Sequence, residues 1–179
     1  SLQQKKFRQE HQMFVAEGLK VISEFINSGF ELLQLYTTDV TLFKNNQLHP
    51  IEINEAELKK ISALATPNTC LAVFKIPQPK EIIAAGLIVA LDAIRDPGNL
   101  GTILRLCDWF GIQQLICSRE TVDLYNPKVV QATMGSIARV NVSYVDLNNF
   151  IANSKLPVFG TFMEGEIIYT ANLPQEGII

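Results

Sequence analysis

Cysteine and histidine are scarce in this chain of 179 residues, which has three cysteines and two histidines. Cys70, Cys107 and Cys117 are odd in number, lie in apolar surroundings and lack CxxC spacing, so we expect neither a disulfide framework nor a zinc site. His11 and His49 lie outside the candidate ligand loop described below. We therefore expect no histidine-based catalytic triad and no metal site, and the cysteine usage favours a reducing, cytoplasmic location.

Long hydrophobic runs and nucleotide-binding glycine motifs are also missing. No apolar run approaches the roughly 20 residues of a membrane-spanning helix, and no charged start followed by an apolar block indicates a signal peptide. We therefore expect no membrane partner. The absence of GxGxxG and GxxxxGK[ST] disfavours a nucleotide-binding α/β enzyme, although 47% hydrophobic residues are enough for a sizeable core.

Basic residues show little excess anywhere along the chain, whose formal net charge is −3. Residues 1–80 carry nine basic and eight acidic side chains, and residues 81–179 carry six basic and ten acidic ones. Because a nucleic-acid ligand needs basic groups against its phosphates, any such contact must be local. The candidate patch is Lys5, Lys6 and Arg8, and the alternative is a solvated terminus.

The first part of the chain mixes short apolar helical and strand patterns. This predicts a small α/β domain over residues 1–76, followed by a proline-containing linker at residues 77–80. Its predicted elements are a helix over 10–27, strands over 30–36 and 50–53, a helix capped by Asn54 and Glu57 that runs through Leu64, and a strand over 69–76.

Residues 81–179 alternate strand and helix patterns, which is typical of a Rossmann-like parallel sheet with right-handed crossovers. The short segment Gly177–Ile179 has the pattern of a further strand. The predicted strands are 87–91, 112–117, 138–144 and 157–162, and the predicted helices are 99–110, 126–135 and 146–154.

A dense turn signal, residues 96–99 (DPGN), follows the apolar run at residues 87–91. Open parallel sheets bind ligands beyond the carboxyl ends of their strands, so this loop is the candidate ligand loop. We expect Asn99 to cap the helix that follows. The helical spacing then predicts a core stripe of Leu100, Ile103, Cys107 and Phe110.

Arg105 lies outside that stripe. Its helical phase places it on the outward face with Gly101 and Asp108. Helical side chains lean toward the N-terminus, so Arg105 is predicted to extend over Gly101 toward the ligand loop. The alternative is an exposed Arg105 paired with Asp108, which would contribute little.

The run ALDAIRDPGNLGTILRLCDWFG, residues 90–111, resembles the first signature motif of the SPOUT methyltransferases, in the TrmH/SpoU branch. The resemblance continues into YNPK at residues 125–128 and MGS at 134–136. It also extends over the first 76 residues, through KKFR at 5–8, FVAEG at 14–18, LATP at 64–67 and LAVF at 71–74.

The resemblance implies a small substrate-binding α/β domain followed by a SPOUT domain, residues 81–179, of the trefoil-knot type. It implies methylation of a ribose 2'-hydroxyl in tRNA or rRNA with S-adenosylmethionine as cofactor, by a homodimer. In the family's pattern Arg105 activates the hydroxyl, Asn99 shapes the ligand loop, and Thr161 borders the cofactor. Asn126 and Lys128 would face the RNA.

Other interpretations of these residues remain open. Arg105 could act as a base or as an electrostatic stabiliser of the developing alkoxide. Thr161 could be a simple loop hydroxyl, and Asn126 an ordinary helix start before a proline. Trp109 fits interface or core packing better than base stacking.

This sequence departs from the family's pattern in two respects. The family's second and third motifs, which form the knot and most of the cofactor pocket, would lie beyond Ile179. We therefore expect a truncated piece with an incomplete pocket and weak or no binding of S-adenosylmethionine, and a non-catalytic RNA-binding module is the alternative function. In addition, Gln131 replaces an arginine found in many relatives, which removes one expected phosphate contact.

Overall fold

The computed structural model describes residues 1–43, 48–167 and 169–179. Over these ranges the chain is an α/β protein with two four-stranded sheets, one built from residues 13–75 and the other from residues 87–178. Among the described residues, no helix combines the length and the apolar character needed to cross a membrane.

The first sheet is mixed. Its central strand β4 runs antiparallel to β1 and β2, and β3 lies parallel to β2 at the edge. Alternate residues of β1 enter the core, where Phe14 and Ala16 are fully buried, as expected for a strand with one covered face. The strands are β1 Met13–Glu17, β2 Leu32–Thr37, β3 Ile51–Glu52 and β4 Cys70–Lys75, in the order β1-β4-β2-β3.

Three helices accompany this sheet: α1 Lys5–His11, α2 Leu19–Asn27 and α3 Glu55–Ile61. The single helix predicted over residues 10–27 is wrong, because the backbone is left-handed at Gln12 (φ 53°) and has a positive φ of 88° at Gly18. Between these two breaks lies β1, which pairs with β4 instead of continuing a helix. The capping box of α3 is confirmed, since the Asn54 side chain accepts from Glu57 N and the Glu57 carboxylate accepts from Asn54 N, both at 2.9 Å.

The second sheet is entirely parallel, which confirms the predicted fold class. The predicted strand over residues 157–162 is wrong. Of that segment, Val158 alone forms an isolated parallel bridge, to Ile178, because the neighbouring β8 offers a ladder of two residues. The strands are β5 Leu87–Leu91, β6 Gln114–Ser118, β7 Asn141–Val145 and β8 Gly177–Ile178, in the order β7-β6-β5-β8, and the helices are α4 Pro97–Trp109, α5 Pro127–Thr133 and α6 Leu147–Ala152.

One apolar cluster extends across both sheets. It includes Phe14 of β1 and Leu100 of α4, and the ring of Phe14 lies 4.7 Å from that of Tyr125, just before α5. The opposite face of the parallel sheet has a smaller cluster around Ile88 and Ile116, covered by α6. Through this cluster, β1 packs against α5, the helix that follows the carboxyl end of β6.

Candidate functional site

The candidate site begins where β5 ends and residues 92–96 lead into α4. Asp96, not Asn99, caps this helix: its Oδ1 accepts from Asn99 N at 2.8 Å, and Pro97 occupies the first helical position. The prediction of Asn99 as the cap is therefore wrong by one turn. The Asn99 side chain is exposed and has no hydrogen bond within the described parts of the chain, so its amide is free to meet a ligand.

The buried face of α4 differs in part from the predicted stripe. Leu100 and Cys107 are buried as expected, but Ile103 is only partly buried and its neighbour Leu104 is fully buried. Phe110 is 71% exposed because α4 ends at Trp109, so its assignment to the core is wrong.

Gly101 is buried between α4 and α5, contrary to the outward position predicted for it. A Cβ atom at this position would lie 2.4 Å from the Cβ of Ala132 in α5. Its lack of a side chain lets the two helices approach each other, so it does not serve as an open path for the Arg105 side chain. The same contact fixes α4 against α5.

Arg105 follows one turn after Gly101 and is exposed. Within the described residues its guanidinium has no ion pair and no hydrogen bond. The alternative pairing with Asp108 is not observed. Asp108 instead accepts from Arg139 Nε at 2.9 Å and from Ser136 Oγ at 2.8 Å.

The hydrogen bonds of Asp108 belong to a network, the Asp108 network, that continues through Arg139 to helix α2 beside the first sheet. The hydrogen bonds from Arg139 hold the pKa of Asp108 below its usual value. Arg139 Nη1 also donates to Glu24 of α2 at 2.8 Å. With Asp108 engaged in this network, Arg105 is left as an unpaired cation next to the ligand loop.

Asn126 and Lys128 lie at the start of α5, after the carboxyl end of β6. The Asn126 Oδ1 accepts from Lys128 N at 2.9 Å and Pro127 is the first helical residue, so Asn126 caps the helix. The Lys128 side chain is exposed and has no partner among the residues that the structure describes. Because the Asn126 side-chain oxygen is used in the cap, its amide nitrogen is the atom of that side chain that remains for a ligand.

The basic patch at the chain's start divides into exposed and buried residues. Lys5 and Lys6 are exposed at the beginning of α1, whereas Arg8 is 2% exposed. Arg8 Nε donates to Asp123 Oδ2 at 2.9 Å, and Nη1 donates to the carbonyl oxygens of Leu2 and Gln3 at 2.9 and 2.8 Å. The prediction that Arg8 binds RNA is wrong, because its donors already face protein acceptors in the interior.

The Arg8 contact nevertheless places α1 relative to the site. Asp123 belongs to the segment after β6, at the same edge of the sheet as the ligand loop. No local pattern in the sequence indicates Asp123 as the partner of Arg8, because the two residues lie 115 positions apart in the chain. Through this pair, Lys5 and Lys6 are carried on a helix that is anchored at the candidate site.

Thr161 is exposed and lies in irregular structure after the Val158 bridge, not at the carboxyl end of a strand as predicted. Its hydroxyl makes no hydrogen bond in the described parts of the chain. Its role beside a cofactor stays a prediction.

An apolar patch covers the last turn of α4. Trp109 is 84% exposed, Phe110 71% and Leu106 50%. The core alternative for Trp109 is therefore wrong, and the interface alternative stays open. We call these three side chains the α4 patch.

The cysteines offer no reactive centre. All three are free and buried, and burial raises the pKa of Cys107 to about 11 and that of Cys117 to about 12. Within the described ranges no group of three or more His, Cys, Asp or Glu side chains could hold a metal ion.

Comparison with known sequence families gives two matches that together cover nearly the whole chain. Residues 86–179 match the SpoU rRNA methylase family, and residues 1–72 match the MRM3-like substrate-binding domain. Among curated relatives, rRNA methyltransferase 3, mitochondrial, of Xenopus laevis is 32% identical over 154 residues, which are 77% of this chain and 36% of that protein. The chain thus spans about a third of the length of such mitochondrial relatives.

A bacterial relative matches over more of its own length. The 23S rRNA (guanosine(2553)-2'-O)-methyltransferase RlmP of Bacillus subtilis is 26% identical over 180 residues, covering 97% of this chain and 72% of that protein.

Solved structures show the same fold. A protein assigned to the TrmH family from Porphyromonas gingivalis superposes with a TM-score of 0.86 at 35% identity, covering 99% of this chain and 74% of that one. The AdoMet-bound rRNA methyltransferase of Sinorhizobium meliloti superposes with a TM-score of 0.81 at 29% identity, covering 99% and 72%.

Proposed function

Because this chain belongs to the SpoU rRNA methylase family, we propose that it methylates a ribose 2'-hydroxyl in RNA, with S-adenosylmethionine as the methyl donor. The observation that carries this proposal is the unpaired, exposed Arg105 on α4, one helical turn after Gly101. Ribosomal RNA is the favoured substrate, because the relatives named above are rRNA methyltransferases. Transfer RNA is the other substrate class that the motif allows.

Arg105 acts electrostatically in this proposal. Transfer to a 2'-oxygen requires that the hydroxyl lose its proton while charge develops on the oxygen. A guanidinium is a cation that offers donors and no acceptor, which disfavours the role of a base. As a cation it stabilises the developing alkoxide and binds the adjacent phosphate in bidentate fashion.

We assign the methyl donor to the same edge of the parallel sheet. Bound S-adenosylmethionine supplies an electrophilic methyl group on a sulfonium. Thr161 would contact it through a free hydroxyl, on a segment that joins the sheet at the Val158 bridge. Asn99 presents its free amide from the first turn of α4, where it orients the ribose.

The RNA would contact the part of the chain that contains the first sheet as well as the candidate site. We assign residues 1–76 to RNA binding, residues 77–80 to the linker and residues 81–179 to methyl transfer. The two sheets, at residues 13–75 and 87–178, support these boundaries. Lys5, Lys6, Lys128 and the amide nitrogen of Asn126 are the proposed phosphate and ribose contacts.

We propose a homodimer formed through the α4 patch. Three large apolar side chains at one helix end are unusual on a monomer's surface, and contiguous exposed apolar surface marks interaction sites. Trp109→Ala should shift the protein from dimer to monomer in sedimentation velocity, and Phe162→Ala, which removes a ring that is 80% exposed elsewhere, should not. A dimer of unchanged affinity in the Trp109 variant would exclude this surface as the interface.

A reducing compartment is the proposed location, because all three thiols are free and buried. The bacterial cytoplasm satisfies this condition. Several relatives carry the word mitochondrial in their names, so a reducing mitochondrial compartment is the other proposed location.

The direct test measures transfer of labelled methyl groups from S-adenosylmethionine to rRNA by the protein. Product is identified as linkages resistant to alkaline cleavage, which needs a free 2'-hydroxyl. Arg105→Lys keeps the charge but loses the fork of donors, so RNA affinity should change by less than about threefold and kcat should fall by about 100-fold. Lys155→Ala, which removes one exposed charge beyond α6, is the control.

Two results would count against the proposal. A kcat of Arg105→Lys equal to that of the wild type would remove Arg105 from the mechanism. RNA binding by the wild type without any methyl transfer would favour the alternative of a non-catalytic RNA-binding module.

A further inference from the structure

Two buried hydroxyl groups contact the segment that leads from β5 into the ligand loop. Ser118 ends β6 and Thr121 follows it by one turn, and both side chains are 3% exposed. Ala93 N donates to Ser118 Oγ at 2.8 Å, the two hydroxyl oxygens are 3.3 Å apart, and Thr121 Oγ1 donates to the Leu91 carbonyl at 3.4 Å. The hydroxyls therefore bridge the last residue of β5 and Ala93, the second residue of the segment 92–96.

The direction of each hydrogen bond follows from the groups themselves. A carbonyl only accepts, so Thr121 must use its single proton on Leu91. Its oxygen then accepts from Ser118, whose own oxygen accepts from Ala93 N. Each hydroxyl thus donates one hydrogen bond and accepts one. We call this series, from Ala93 N through Ser118 and Thr121 to the Leu91 carbonyl, the hydroxyl chain.

Ala93 needs such a partner because its backbone is strained. Its φ of 49° lies in the left-handed region, and Ala93 is one of three described non-glycine residues with positive φ. This conformation is costly for a residue with a Cβ and persists only where surrounding contacts enforce it. Ser118 supplies that contact in the short link between β5 and the helix that carries Asn99 and Arg105.

A second contact holds the next loop residue. Val122 N donates to the Ile94 carbonyl at 2.8 Å, and the Tyr144 hydroxyl of β7 donates to the Val122 carbonyl at 2.5 Å. The segment 118–122 therefore makes two hydrogen bonds to residues 93–94, one through the Ser118 side chain and one through the Val122 backbone.

We propose that Ser118 and Thr121 are positioning residues for methyl transfer: their hydroxyl chain holds the 92–96 loop in the strained conformation that sets the start of α4. They act through the loop, since both are buried away from solvent and from the exposed side chains of Asn99 and Arg105. This inference rests on the proposed function, but its structural half, the restraint of Ala93, can be measured without any activity.

The experiment compares Ser118→Ala, Thr121→Val and Thr121→Ser. Ser118→Ala leaves the Ala93 N–H unpaired, Thr121→Val keeps the shape but removes the hydroxyl, and Thr121→Ser keeps the hydroxyl. We expect kcat to fall by about tenfold or more in Ser118→Ala, since small misplacement of a reacting group is costly, while KM for RNA and for S-adenosylmethionine stays within about twofold. Thr121→Val should show a smaller loss, because the 3.4 Å link is the longest in the chain, and Thr121→Ser should restore kcat.

Hydrogen exchange provides the independent measurement. The Ala93 amide should exchange at least about tenfold faster in folded Ser118→Ala than in the wild type, and not in Thr121→Ser. Unchanged exchange at Ala93, or an equal loss of kcat in Thr121→Ser and Thr121→Val, would overturn the positioning role. Failure of the proposed function would look different: the wild type would transfer no methyl group to RNA, while the Ala93 amide would still exchange faster in Ser118→Ala than in the wild type.

Discussion

Arg8 and Asp123 lie 115 positions apart in the chain, and the Arg8 Nε donates to Asp123 Oδ2 at 2.9 Å. Their pair connects α1 to the segment that follows β6. Val122, the residue before Asp123, donates its backbone N–H to the carbonyl of Ile94, in the segment 92–96 that leads from β5 into the ligand loop. Two consecutive residues, Val122 and Asp123, thus connect the proposed RNA-binding part of the chain to the candidate site.

Removal of Arg8 should strongly destabilise the protein. The guanidinium is 2% exposed and the Asp123 side chain 19%, so Arg8→Ala leaves a mostly buried carboxylate without its partner. We expect the free energy of unfolding to fall by about 3 kcal/mol, measured by urea denaturation. Arg8→Lys should recover only part of this, because an ammonium cannot reproduce the three acceptors that the guanidinium serves.

An exposed ion pair is the matched control. Lys75 and Glu31 lie 3.0 Å apart with side chains 52% and 59% exposed. Lys75→Ala should therefore change the free energy of unfolding by less than about 1 kcal/mol. Equal effects of Arg8→Ala and Lys75→Ala would show that burial of the Arg8 pair adds nothing to stability.

The Asp108 network should make stability depend on acid. Hydrogen bonds from Arg139 lower the pKa of Asp108 below 3.8, so the folded state binds a proton at this group less readily than the unfolded state. The resulting stabilisation is complete above the unfolded pKa and is lost as the pH falls through the lowered folded value. Unfolding of the wild type and Asp108→Asn should differ by a constant amount above about pH 5, and the difference should shrink below pH 4.

Arg139→Gln tests the cause of that dependence. Without the guanidinium, Asp108→Asn should alter the slope of stability against pH below pH 4 by less than it does in the wild type, because the hydrogen bond from Ser136 alone then lowers the pKa of Asp108. An undiminished effect of Asp108→Asn in the Arg139 variant would show that Arg139 is not the cause of the acid dependence.

Local chemistry made several elements predictable. The capping box of α3 depends on two residues three positions apart, and β5 is a continuous apolar run bounded by a turn, so both predictions are confirmed. The first residue of α4 could also have been predicted from the sequence. Asp96 before Pro97 is a typical cap and first helical residue, and this signal outweighs Asn99.

Other features depended on tertiary contacts. Residues 13–17 fit an apolar helical face and an alternating strand equally well, and pairing with β4 decides for the strand. The burial of Arg8 and the hydroxyl chain beneath Ala93 join residues 115 and 25 positions apart, which no local pattern indicates. At the candidate site, the sequence therefore predicted Arg105 and Asn99, which the structure leaves exposed, but gave no signal for the buried Ser118 and Thr121.

The contribution of Lys5 and Lys6 to RNA binding can be isolated from general charge effects. The double variant Lys5→Ala/Lys6→Ala removes two exposed cations from the helix that Arg8 anchors at the site edge. Lys59 and Lys60, also adjacent, lie exposed on α3 in the same part of the chain, so Lys59→Ala/Lys60→Ala removes the same charge elsewhere. If each of the first two lysines contacts one phosphate, the slope of log affinity against log salt should flatten by about 1.4 to 1.8 in the first variant. Fluorescence anisotropy with a labelled rRNA fragment measures that slope. Because the electrostatic attraction of the whole protein changes equally in both variants, equal slopes would mean that Lys5 and Lys6 contribute only to net charge and that α1 lies outside the RNA-binding surface.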